Sequence, residues 1–433
     1  MPNGKQRRIL MKKKVLAIVL CLAVVTALVF GLVACNNDEE AKELELPAFE
    51  GIVNPDYSKV EIKNDFKIGI ICLHDDSSTY DKNFIDAANK AIAELGLTKA
   101  NVIFKTNIPE DAKCTTAAEE LVAAGCDVIF ADSFGHEKFL KGVAEKNPNV
   151  QFCHATGVSA EESKLANFHN AFASIYEGRY LAGVAAGLKL NEMIANGTIT
   201  AEQAKMGYVG AFTYAEVISG YTAFYLGAKS VCPSVTMDVK FTGSWYDLTA
   251  EKETAEALIE GGCKVISQHA DSMGAPSACE RAGVPNVSYN GSTFEACPET
   301  FIVSSRIDWA PYFKYIITQT AQGKAIDTNW TGTLTTGSVV LTNVGSKAAA
   351  EGTVDKIVEV RTKLAKGEIN VFDTNNFTVN GEKVTSFKAD LDGDYVGETE
   401  VCYDGIIKES FLRSAPYFDL RIDGIKLLNE KLG

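Results

Sequence analysis

Six short segments of this chain combine aromatic rings with carboxylates, hydroxyls and amides, which is the chemistry of a site for a small polar molecule. A flat ring stacks on a planar heterocycle, and an ionised carboxylate accepts hydrogen bonds from the hydroxyls of a sugar. The residues from which we expect ligand contacts are Asp81, Asn83, Phe84, Ser133, Phe134, Tyr214, Trp245, Asp247, Asp271 and Asn290. Asn83 and Ser133 would serve equally well as helix N-caps.

Known catalytic motifs are absent from the sequence. It has no Gly-x-Ser-x-Gly elbow, Walker loop, zinc signature or dinucleotide fingerprint, and its five histidines show no metal-ligand spacing. We therefore expect a binding protein without a cofactor or a metal, and not an enzyme. The acidic residues Asp75, Asp76 and Asp81 leave a secreted nucleoside hydrolase as an alternative, and a structural or adhesive surface protein is a third class.

Short apolar runs alternate with amphipathic helical stretches from Phe66 onward, and these elements must position the six segments. The predicted strands are 67–73, 101–105, 127–131, 150–154 and 167–173, and the predicted helices are 83–95, 111–124, 136–146 and 177–195. Such alternation predicts an α/β fold with a parallel sheet covered by helices on both faces. In an open sheet of this kind, ligands bind beyond the carboxyl ends of the strands, where the six segments fall.

The pattern occurs twice along the chain. Residues 121–129 (LVAAGCDVI) recur as 258–266 (LIEGGCKVI), and 131–133 (ADS) recur as 270–272 (ADS). The two offsets, 137 and 139 residues, are nearly the same, and a repeat of nearly constant spacing indicates two copies of one structural unit. We therefore predict two similar, doubly wound, Rossmann-like lobes whose strand ends face each other across one cleft.

The N-terminal region is typical of an exported protein. Residues 15–34 are apolar and uncharged, they follow three lysines, and they lead into LVAC at 32–35, which resembles the lipobox of bacterial lipoproteins. We expect a signal peptide over 1–34, lipidation of Cys35 and an acidic linker over 35–60. The apolar run is also long enough to be an uncleaved membrane anchor. Both interpretations place the folded part outside the cytoplasm, tethered to the bacterial cell membrane.

Composition and charge narrow the range of partners. The 433-residue chain is 46% hydrophobic and 23% charged, which is typical of a globular protein, and its net charge is −14. Nucleic acid is not an expected partner, because binding it requires basic residues that neutralise phosphates. Apart from Cys21 and Cys35, the cysteines have no regular spacing, and we expect buried thiols.

Together these motifs resemble the basic membrane protein family of ABC-transporter solute-binding lipoproteins. The resemblance covers about residues 66–372 and rests on the order of the lipobox, YDKNF (80–84), IFADSFG (129–135), GRYLAGVAAG (178–187), GSWYD (243–247) and QHADS (268–272). It implies a type I periplasmic-binding-protein fold with three crossovers, whose lobes close about a hinge on a purine nucleoside or base. We expect a monomer that serves an ABC permease and its ATPase.

The resemblance also implies roles for particular residues. Asp81 and Phe84 match the family's Asp-x-x-Phe, which implies a polar contact from the carboxylate and packing or stacking from the ring. Residues 133–134 match its third-strand loop. Trp245 and Asp271 match second-lobe positions that stack on the base and bind its polar edges.

One stretch departs from the family pattern and leaves the ligand open. Many relatives carry a lysine shortly after a Thr-Ser pair on the late crossover strand, where this chain reads SSRIDW at 304–309. A simple sugar or a signalling molecule is therefore the alternative ligand, since type I lobes bind those as well.

Domain boundaries follow from the resemblance. We expect lobe I to comprise 61–172 and 300–325, and lobe II to comprise 173–299 and 326–372. The tail, 373–433, is longer than the family needs, and we expect a C-terminal extension with a small hairpin. Its strands are predicted at 381–387 and 399–403.

Overall fold

The structure, a computed structural model, describes residues 40–53, 55–57 and 59–432. The predicted signal peptide over 1–34 and the lipidation site Cys35 lie outside the described residues. Within the described ranges, no helix has the length and apolarity needed to cross a membrane.

Lobe I is built on a six-stranded parallel sheet. Its central strands are buried along their whole length, because helices cover both faces of the sheet and leave no wet side. The strands, numbered in chain order and given as they lie side by side, are β12 (Asn329–Gly332), β6 (Phe168–Ala173), β5 (Gln151–Ala155), β4 (Val128–Ala131), β2 (Ile68–Ile71) and β3 (Val102–Lys105). The connecting helices are α1 (Thr79–Glu94), α2 (Ala112–Ala123), α3 (Glu137–Ala144) and the short α4 (Ala160–Ser163).

Lobe II repeats this strand order. Its strands are β13 (Val339–Leu341), β11 (Phe301–Ile307), β10 (Asn286–Tyr289), β9 (Val265–Gln268), β7 (Lys205–Gly210), β8 (Thr236–Phe241) and β21 (Ile425–Leu427). Its helices are α5 (Ile175–Ala195), α6 (Ala215–Val231), α7 (Leu248–Glu260) and α8 (Gly274–Ala282). The order matches lobe I strand for strand, so the predicted pair of doubly wound lobes is confirmed. Two features differ, since β13 runs antiparallel to β11 and β21 adds an edge strand.

Three crossovers join the lobes, but two of them lie elsewhere than predicted. We expected 300–325 in lobe I and 326–372 in lobe II. In the structure β11 pairs with β10 of lobe II, and β12 pairs with β6 of lobe I, so the predicted division is wrong at both strands. The reason is that β11 is the counterpart of β6 and completes the lobe II sheet before the chain leaves it. Helix α9 (Ala310–Ala321) does pack on lobe I, where Phe313 meets Phe130 at 5.1 Å between ring centroids.

The crossover segments are bonded to one another. Ser174 N donates to Gly332 O at 2.7 Å, which joins the first crossover to the third. Asp308 N donates to Ser338 O at 2.7 Å, which joins the second to the third. The three segments therefore form one hydrogen-bonded strip between the lobes.

Helices α5 and α6 approach each other closely in lobe II. A Cβ atom on Gly183 of α5 would lie 2.0 Å from Phe224 O of α6, so this position accepts only glycine. The close packing fixes Arg179 of α5 relative to Glu216 of α6, and both residues take part in the site described below.

The N-terminal segment is not the free spacer that we expected over 35–60. In its described part, β1 (Glu43–Leu44) pairs antiparallel with β14 (Val344–Gly345). The side chain of Leu46 packs against the main hydrophobic core. The linker prediction is therefore wrong for this stretch, because apolar residues among the acidic ones anchor it to the folded part.

The C-terminal extension, which follows helix α10 (Thr353–Ala365), is larger than the small hairpin that we expected over 373–433. Its short strands pair as β15 (Thr378–Val379) with β16 (Glu382–Lys383), β17 (Lys388–Ala389) with β18 (Thr399–Glu400), and β19 (Cys402–Tyr403) with β20 (Ile406–Ile407). Phe372 and Phe418 stack at 4.2 Å between ring centroids within a small aromatic cluster. Near its end, β21 pairs with β8 of lobe II, whereas Ser414 N donates to Asn329 of β12 in lobe I, so the extension contacts both lobes.

Cysteines contribute to the cores as small apolar residues, as expected. All nine in the described ranges are free thiols, and eight of them are buried.

Candidate functional site

A small cavity of about 20 Å³ lies between the two lobes, where the carboxyl ends of both sheets meet. A space of this size holds about one water molecule, so the lobes are closed on each other in this structure. Predicted ligand residues that line it are Asp81, Ser133, Phe134, Trp245 and Asp271. The sequence had not assigned ligand contacts to the rest of its wall, which consists of Leu73, His74, Tyr80, Thr156, Glu216, His269 and Tyr289.

Asp81 lies in the first turn of α1 on the lobe I side of the cavity. Ser78 caps this helix by accepting a hydrogen bond from Asp81 N, and its hydroxyl donates to the Asp81 carboxylate at 2.6 Å. His74 N donates to the same carboxylate at 2.7 Å. The helix dipole also favours an acid in this turn. The carboxylate is therefore held in one position at the cavity wall.

Asp132 lies behind Asp81 and is fully buried at the carboxyl end of β4. One of its oxygens accepts a hydrogen bond from Leu73 N at 3.1 Å, and Cys72 and Asp81 are close by. Burial and the neighbouring Asp81 carboxylate raise the pKa of Asp132 well above its ordinary value, which favours the neutral acid.

Bonds within lobe I hold the loop after β4. Ser133 Oγ donates to Glu110 at 2.7 Å, and Gly135 N donates to the same carboxylate at 2.6 Å. Ser133 makes no capping bond, so the alternative role considered for it is not realised. The loop leaves Phe134 39% exposed at the cleft.

Lobe II supplies an aromatic surface. Trp245, in the loop between β8 and α7, packs edge-on against Phe212 at 5.2 Å between ring centroids, and Phe212 stacks on Tyr214 at 5.4 Å. Tyr214 in turn meets Phe134 of lobe I at 5.7 Å. An aromatic bridge therefore spans the cleft from one lobe to the other.

Tyr214, a member of this bridge, also lines an outer compartment of about 330 Å³. The outer compartment shares Phe134, Thr156, Glu216 and Trp245 with the inner cavity. Much of its remaining wall comes from the C-terminal extension, including Tyr395, Arg413 and Tyr417. The extension thus lies at the mouth of the cleft.

Asp271 lies in the cavity wall and is hydrogen-bonded to residues of both lobes. Its carboxylate accepts a hydrogen bond from Asn290 Nδ2 at 3.1 Å, and Asn83 Nδ2 of lobe I donates to Asn290 Oδ1 at 3.5 Å. Thr79 Oγ1 of lobe I donates to Asp271 O at 3.1 Å. Burial, followed by the nearby Glu251 carboxylate, raises the pKa of Asp271. Asn83 and Asn290 therefore stand next to Asp271 and outside the cavity wall.

A buried chain of polar contacts, which the sequence had not suggested, lies behind the lobe II wall of the cavity. We call it the Arg179 relay. Arg179 Nη1 donates to Gln268 O at 2.9 Å, and its guanidinium lies 3.3 Å from the centre of the Tyr289 ring. Arg179 Nη2 donates to His269 Nδ1 at 3.1 Å, so the hydrogen of the neutral ring is on Nε2, which donates to Glu216 at 3.3 Å. Burial lowers the pKa of His269, which favours this neutral form.

The sequence offered little to reveal this relay. Glu216 in the first turn of α6 looks like a residue that complements a helix dipole. Arg179 lies in a helix whose other residues are mostly buried and apolar. Only the tertiary fold brings the two side chains to the same histidine.

Two predicted ligand residues have other contacts. Phe84 is fully buried in the lobe I core, where its ring stacks on Trp309 at 4.5 Å between centroids. Asp247 is exposed and caps α7 by accepting hydrogen bonds from Thr249 N and Ala250 N. Neither side chain lines the inner cavity, because α1 turns Phe84 toward the sheet and the cap occupies Asp247.

The inner cavity as a whole offers ring faces and hydrogen-bond acceptors. Trp245 and Phe134 supply aromatic faces from opposite lobes, and Asp81, Asp271 and Glu216 supply carboxyl groups. A flat ring that carries N–H or O–H donors fits such a wall.

Comparison with known proteins gives a family match over most of the chain. Residues 68–375 match the family model described as ABC transporter substrate-binding protein PnrA-like. A putative ABC transporter glucose-binding protein of Haloferax volcanii is 33% identical over 60% of this chain and 62% of its own length. A purine-binding protein of Brucella abortus is 32% identical over 53% of this chain and 61% of its own length. The chain thus spans about three fifths of the length of these relatives.

A solved structure supports the fold. An ABC transporter solute-binding protein from Conexibacter woesei superposes with a TM-score of 0.57 and 20% identity, over 70% of this chain and 98% of that one. At this level of identity the likeness concerns the fold alone.

Proposed function

This chain belongs to the family of PnrA-like ABC transporter substrate-binding proteins, and from that premise we propose that it captures a purine nucleoside or base between its two lobes. The strongest support is the inner cavity, in which aromatic faces and carboxyl groups converge from both lobes. The purine-binding relative in Brucella abortus supports the same ligand class.

Trp245 stacks on the purine ring in this proposal. Its indole is half-buried beside the cavity and is braced by Phe212, so it loses little freedom when a base packs on it. Phe134 approaches from lobe I and covers the other side of the ligand. Base–aromatic stacking contributes about 1–3 kcal/mol per base.

The carboxyl groups of Asp81, Asp271 and Glu216 accept hydrogen bonds from ring N–H groups or ribose hydroxyls. A hydrogen bond that involves a charged group contributes about 1.5–3 kcal/mol, more than one between neutral groups. Because Asp81 belongs to lobe I and the other two to lobe II, a bound ligand joins the lobes.

Ligand capture works by hinge closure. Direct contacts already cross the cleft, from Thr79 and Asn83 on lobe I to Asp271 and Asn290 on lobe II. These contacts must break when the lobes separate about the hydrogen-bonded crossovers. A ligand that touches both lobes favours the closed form over the open one.

The family also supports an ABC permease as the partner in this proposal and a location outside the cytoplasm. The closed protein delivers its ligand to an ABC permease with its ATPase, outside the cytoplasm, and a lipid on Cys35 tethers it to the membrane. It works as a binding protein without catalytic chemistry, cofactor or metal, and as a monomer.

A simple sugar is the second candidate ligand. The Haloferax volcanii relative is described as glucose-binding, and an aromatic ring beside carboxyl groups also suits a pyranose.

Thermal unfolding with a ligand panel tests the proposal. The chain from residue 36 onward is heated with adenosine, guanosine, inosine, free purines, glucose and ribose. A ligand at 100 times its dissociation constant stabilises the folded state by about 2.7 kcal/mol, which is a readable shift. A shift with purine compounds is expected. A shift with sugars alone, or with none of the compounds, would overturn the purine assignment.

A further inference from the structure

The last residues of the chain run beyond the sheet edge that they cover. Strand β21 pairs with β8 over Ile425–Leu427, which by itself would protect an exposed strand edge. Residues 428 and 429 continue along β8, where Leu428 N donates to Val239 O at 2.8 Å, and the residues after them pass the end of the strand toward the cleft, where Leu432 lines the outer compartment. The family match ends at residue 375, so this segment lies outside it.

The side chain of Asn429 binds both backbone groups of the last residue of β8. Its side-chain oxygen accepts a hydrogen bond from Phe241 N at 2.7 Å, and its Nδ2 donates to Phe241 O at 2.9 Å. Phe241 is the last residue of β8, and the next residues form the loop that carries Trp245. A single side chain thus binds both backbone groups at the base of that loop.

Lys431 fixes the neighbouring loop in the same way through its backbone. Thr213 N donates to Lys431 O at 2.7 Å, and Lys431 N donates to Thr213 Oγ1 at 2.8 Å. Thr213 is buried and directly precedes Tyr214, the N-cap residue of α6. The side chain of Lys431 also lies against Gly243 in the Trp245 loop.

The two loops form one aromatic surface, because Tyr214 and Trp245 both contact Phe212. Four hydrogen bonds from residues 429 and 431 hold the bases of these loops. The two Asn429 bonds also close the edge of β8 at its last residue, but the two Lys431 bonds are made to the loop residue Thr213, which edge protection does not require. Their common target is the position of Tyr214 and Trp245.

We propose that residues 428–432 are positioning residues of the binding site, which hold the Tyr214 and Trp245 loops in the geometry that a ligand ring requires. The C-terminal extension is then a working part of the site. This inference rests on the proposed function for its ligand, but the position of the loops can be measured without one.

The first test is calorimetric titration of the full chain with adenosine, guanosine and inosine. Asn429→Ala is expected to weaken binding about tenfold, the usual effect of losing a well-placed hydrogen bond or two. Asn375→Ala is the matched control, because Asn375 is an exposed residue of the same extension that bonds only Asp373 and Lys383. It is expected to bind like the wild type.

A double-mutant comparison separates positioning from general destabilisation. In a Trp245→Ala background, Asn429→Ala should change the dissociation constant less than twofold, because the ring that it positions is gone. The same tenfold loss in both backgrounds, or no loss in the wild-type background, would overturn the inference. If Asn429→Ala does not fold, Thr213→Val removes the other side-chain acceptor and is read in the same way.

Amide hydrogen exchange gives a readout that needs no ligand. Asn429→Ala should speed exchange in residues 210–216 and 241–247 while the lobe I strands exchange as before. Unchanged exchange in both loops would contradict the positioning role. If the wild type binds no purine nucleoside, the proposed function fails, and the exchange result still decides whether the tail holds the loops.

Discussion

The two lobes share one strand order, yet they present different chemistry to the cleft. The Ala-Asp-Ser sequence occurs at the end of β4 as residues 131–133 and after β9 as residues 270–272, but the two copies do not occupy equivalent positions. Asp132 N donates to Ile71 O, and the equivalent bond in lobe II runs from His269 N to Val209 O. Asp132 is fully buried behind Asp81 and does not line the cavity, whereas Asp271 lines it. The residue that follows β4 is therefore a buried aspartate in lobe I, whereas its lobe II equivalent is His269, and Asp271 lies two residues further along, in the cavity wall.

The difference extends to the aromatic residues. Phe84 of lobe I is part of the core, while Trp245 of lobe II lies at the cavity. Lobe II also carries the buried Arg179 relay and the added edge strand β21, for which the described part of lobe I has no counterpart. The shared strand order thus brings both sheets to one cleft, and the side chains that line it differ between the two lobes.

The largest expected effect is a loss of stability, and it distinguishes Phe84 from Trp245. Phe84→Ala removes a fully buried ring that stacks on Trp309, so it should destabilise the protein by about 3–5 kcal/mol. Urea unfolding measures this loss. Affinity of the remaining folded protein for purine nucleosides should change less than twofold, and a large loss of affinity at unchanged stability would place Phe84 back in the site.

Trp245→Ala should have the opposite profile. Loss of the stacking ring should weaken purine nucleoside binding by about 1–3 kcal/mol, while the half-buried position limits the loss of stability. Titration calorimetry together with thermal unfolding checks both parts. Unchanged affinity would show that Trp245 does not contact the ligand. The difference between Phe84 and Trp245 would then have no consequence for binding.

A paired substitution compares an aspartate in the cavity wall with one behind it. Asp271→Asn should weaken binding roughly tenfold, because a ligand donor loses a carboxyl acceptor. Asp132→Asn should leave affinity within about twofold of the wild type, because Asp132 does not line the cavity. Equal losses from both substitutions would contradict the different roles of the two aspartates.

The pH dependence of binding also distinguishes Asp271 from Asp132. Burial raises the pKa of Asp271, and ligand donors favour the ionised carboxylate. Affinity should therefore rise with pH until Asp271 is ionised in the free protein. This slope should vanish in Asp271→Asn and persist in Asp132→Asn, which titration calorimetry at several pH values measures.

The smallest expected effect concerns Glu251, which accepts hydrogen bonds from Ser272 N and holds the loop that carries Asp271. Burial raises the pKa of Glu251 to about 7, above the ordinary value of 4.5. Its contribution to stability is present below pH of about 4.5 and is lost as the pH rises through about 7. Glu251→Gln should therefore gain stability relative to the wild type, by about 1 kcal/mol, as the pH rises through this range. Thermal unfolding at pH 5 and pH 8 checks this, and a constant difference would contradict it.

Local patterns predicted most of the lobe architecture. Alternating apolar strands and helices gave the α/β class, and the recurrence of 121–129 at 258–266 gave two equivalent lobes. The crossovers were misplaced, because periodicity shows that 301–307 is a strand but does not show which sheet it joins. Pairing of β11 with β10 is a long-range choice that no local window contains.

The candidate site was predictable at the level of loops and not of single side chains. Asp81 and Trp245 line the cavity as expected, but Phe84, three residues after Asp81, points into the core. Tertiary packing decides which face of α1 turns toward the sheet, and one sequence does not show that packing. The contributions of Glu216 and of the tail depend on residues far apart in the chain, so composition and spacing gave no sign of them.

Fluorescence titration of the wild type and of Trp245→Phe with inosine and with glucose tests the central claim most directly. Trp309 is buried in the lobe I core, and Trp330 packs on Tyr312 away from the cavity, so Trp245 alone should report on a stacked base. The account predicts a saturable quench of the wild type by inosine and none by glucose, with most of the inosine signal lost in Trp245→Phe. No saturable change with inosine, or an equal change in both proteins, would contradict it.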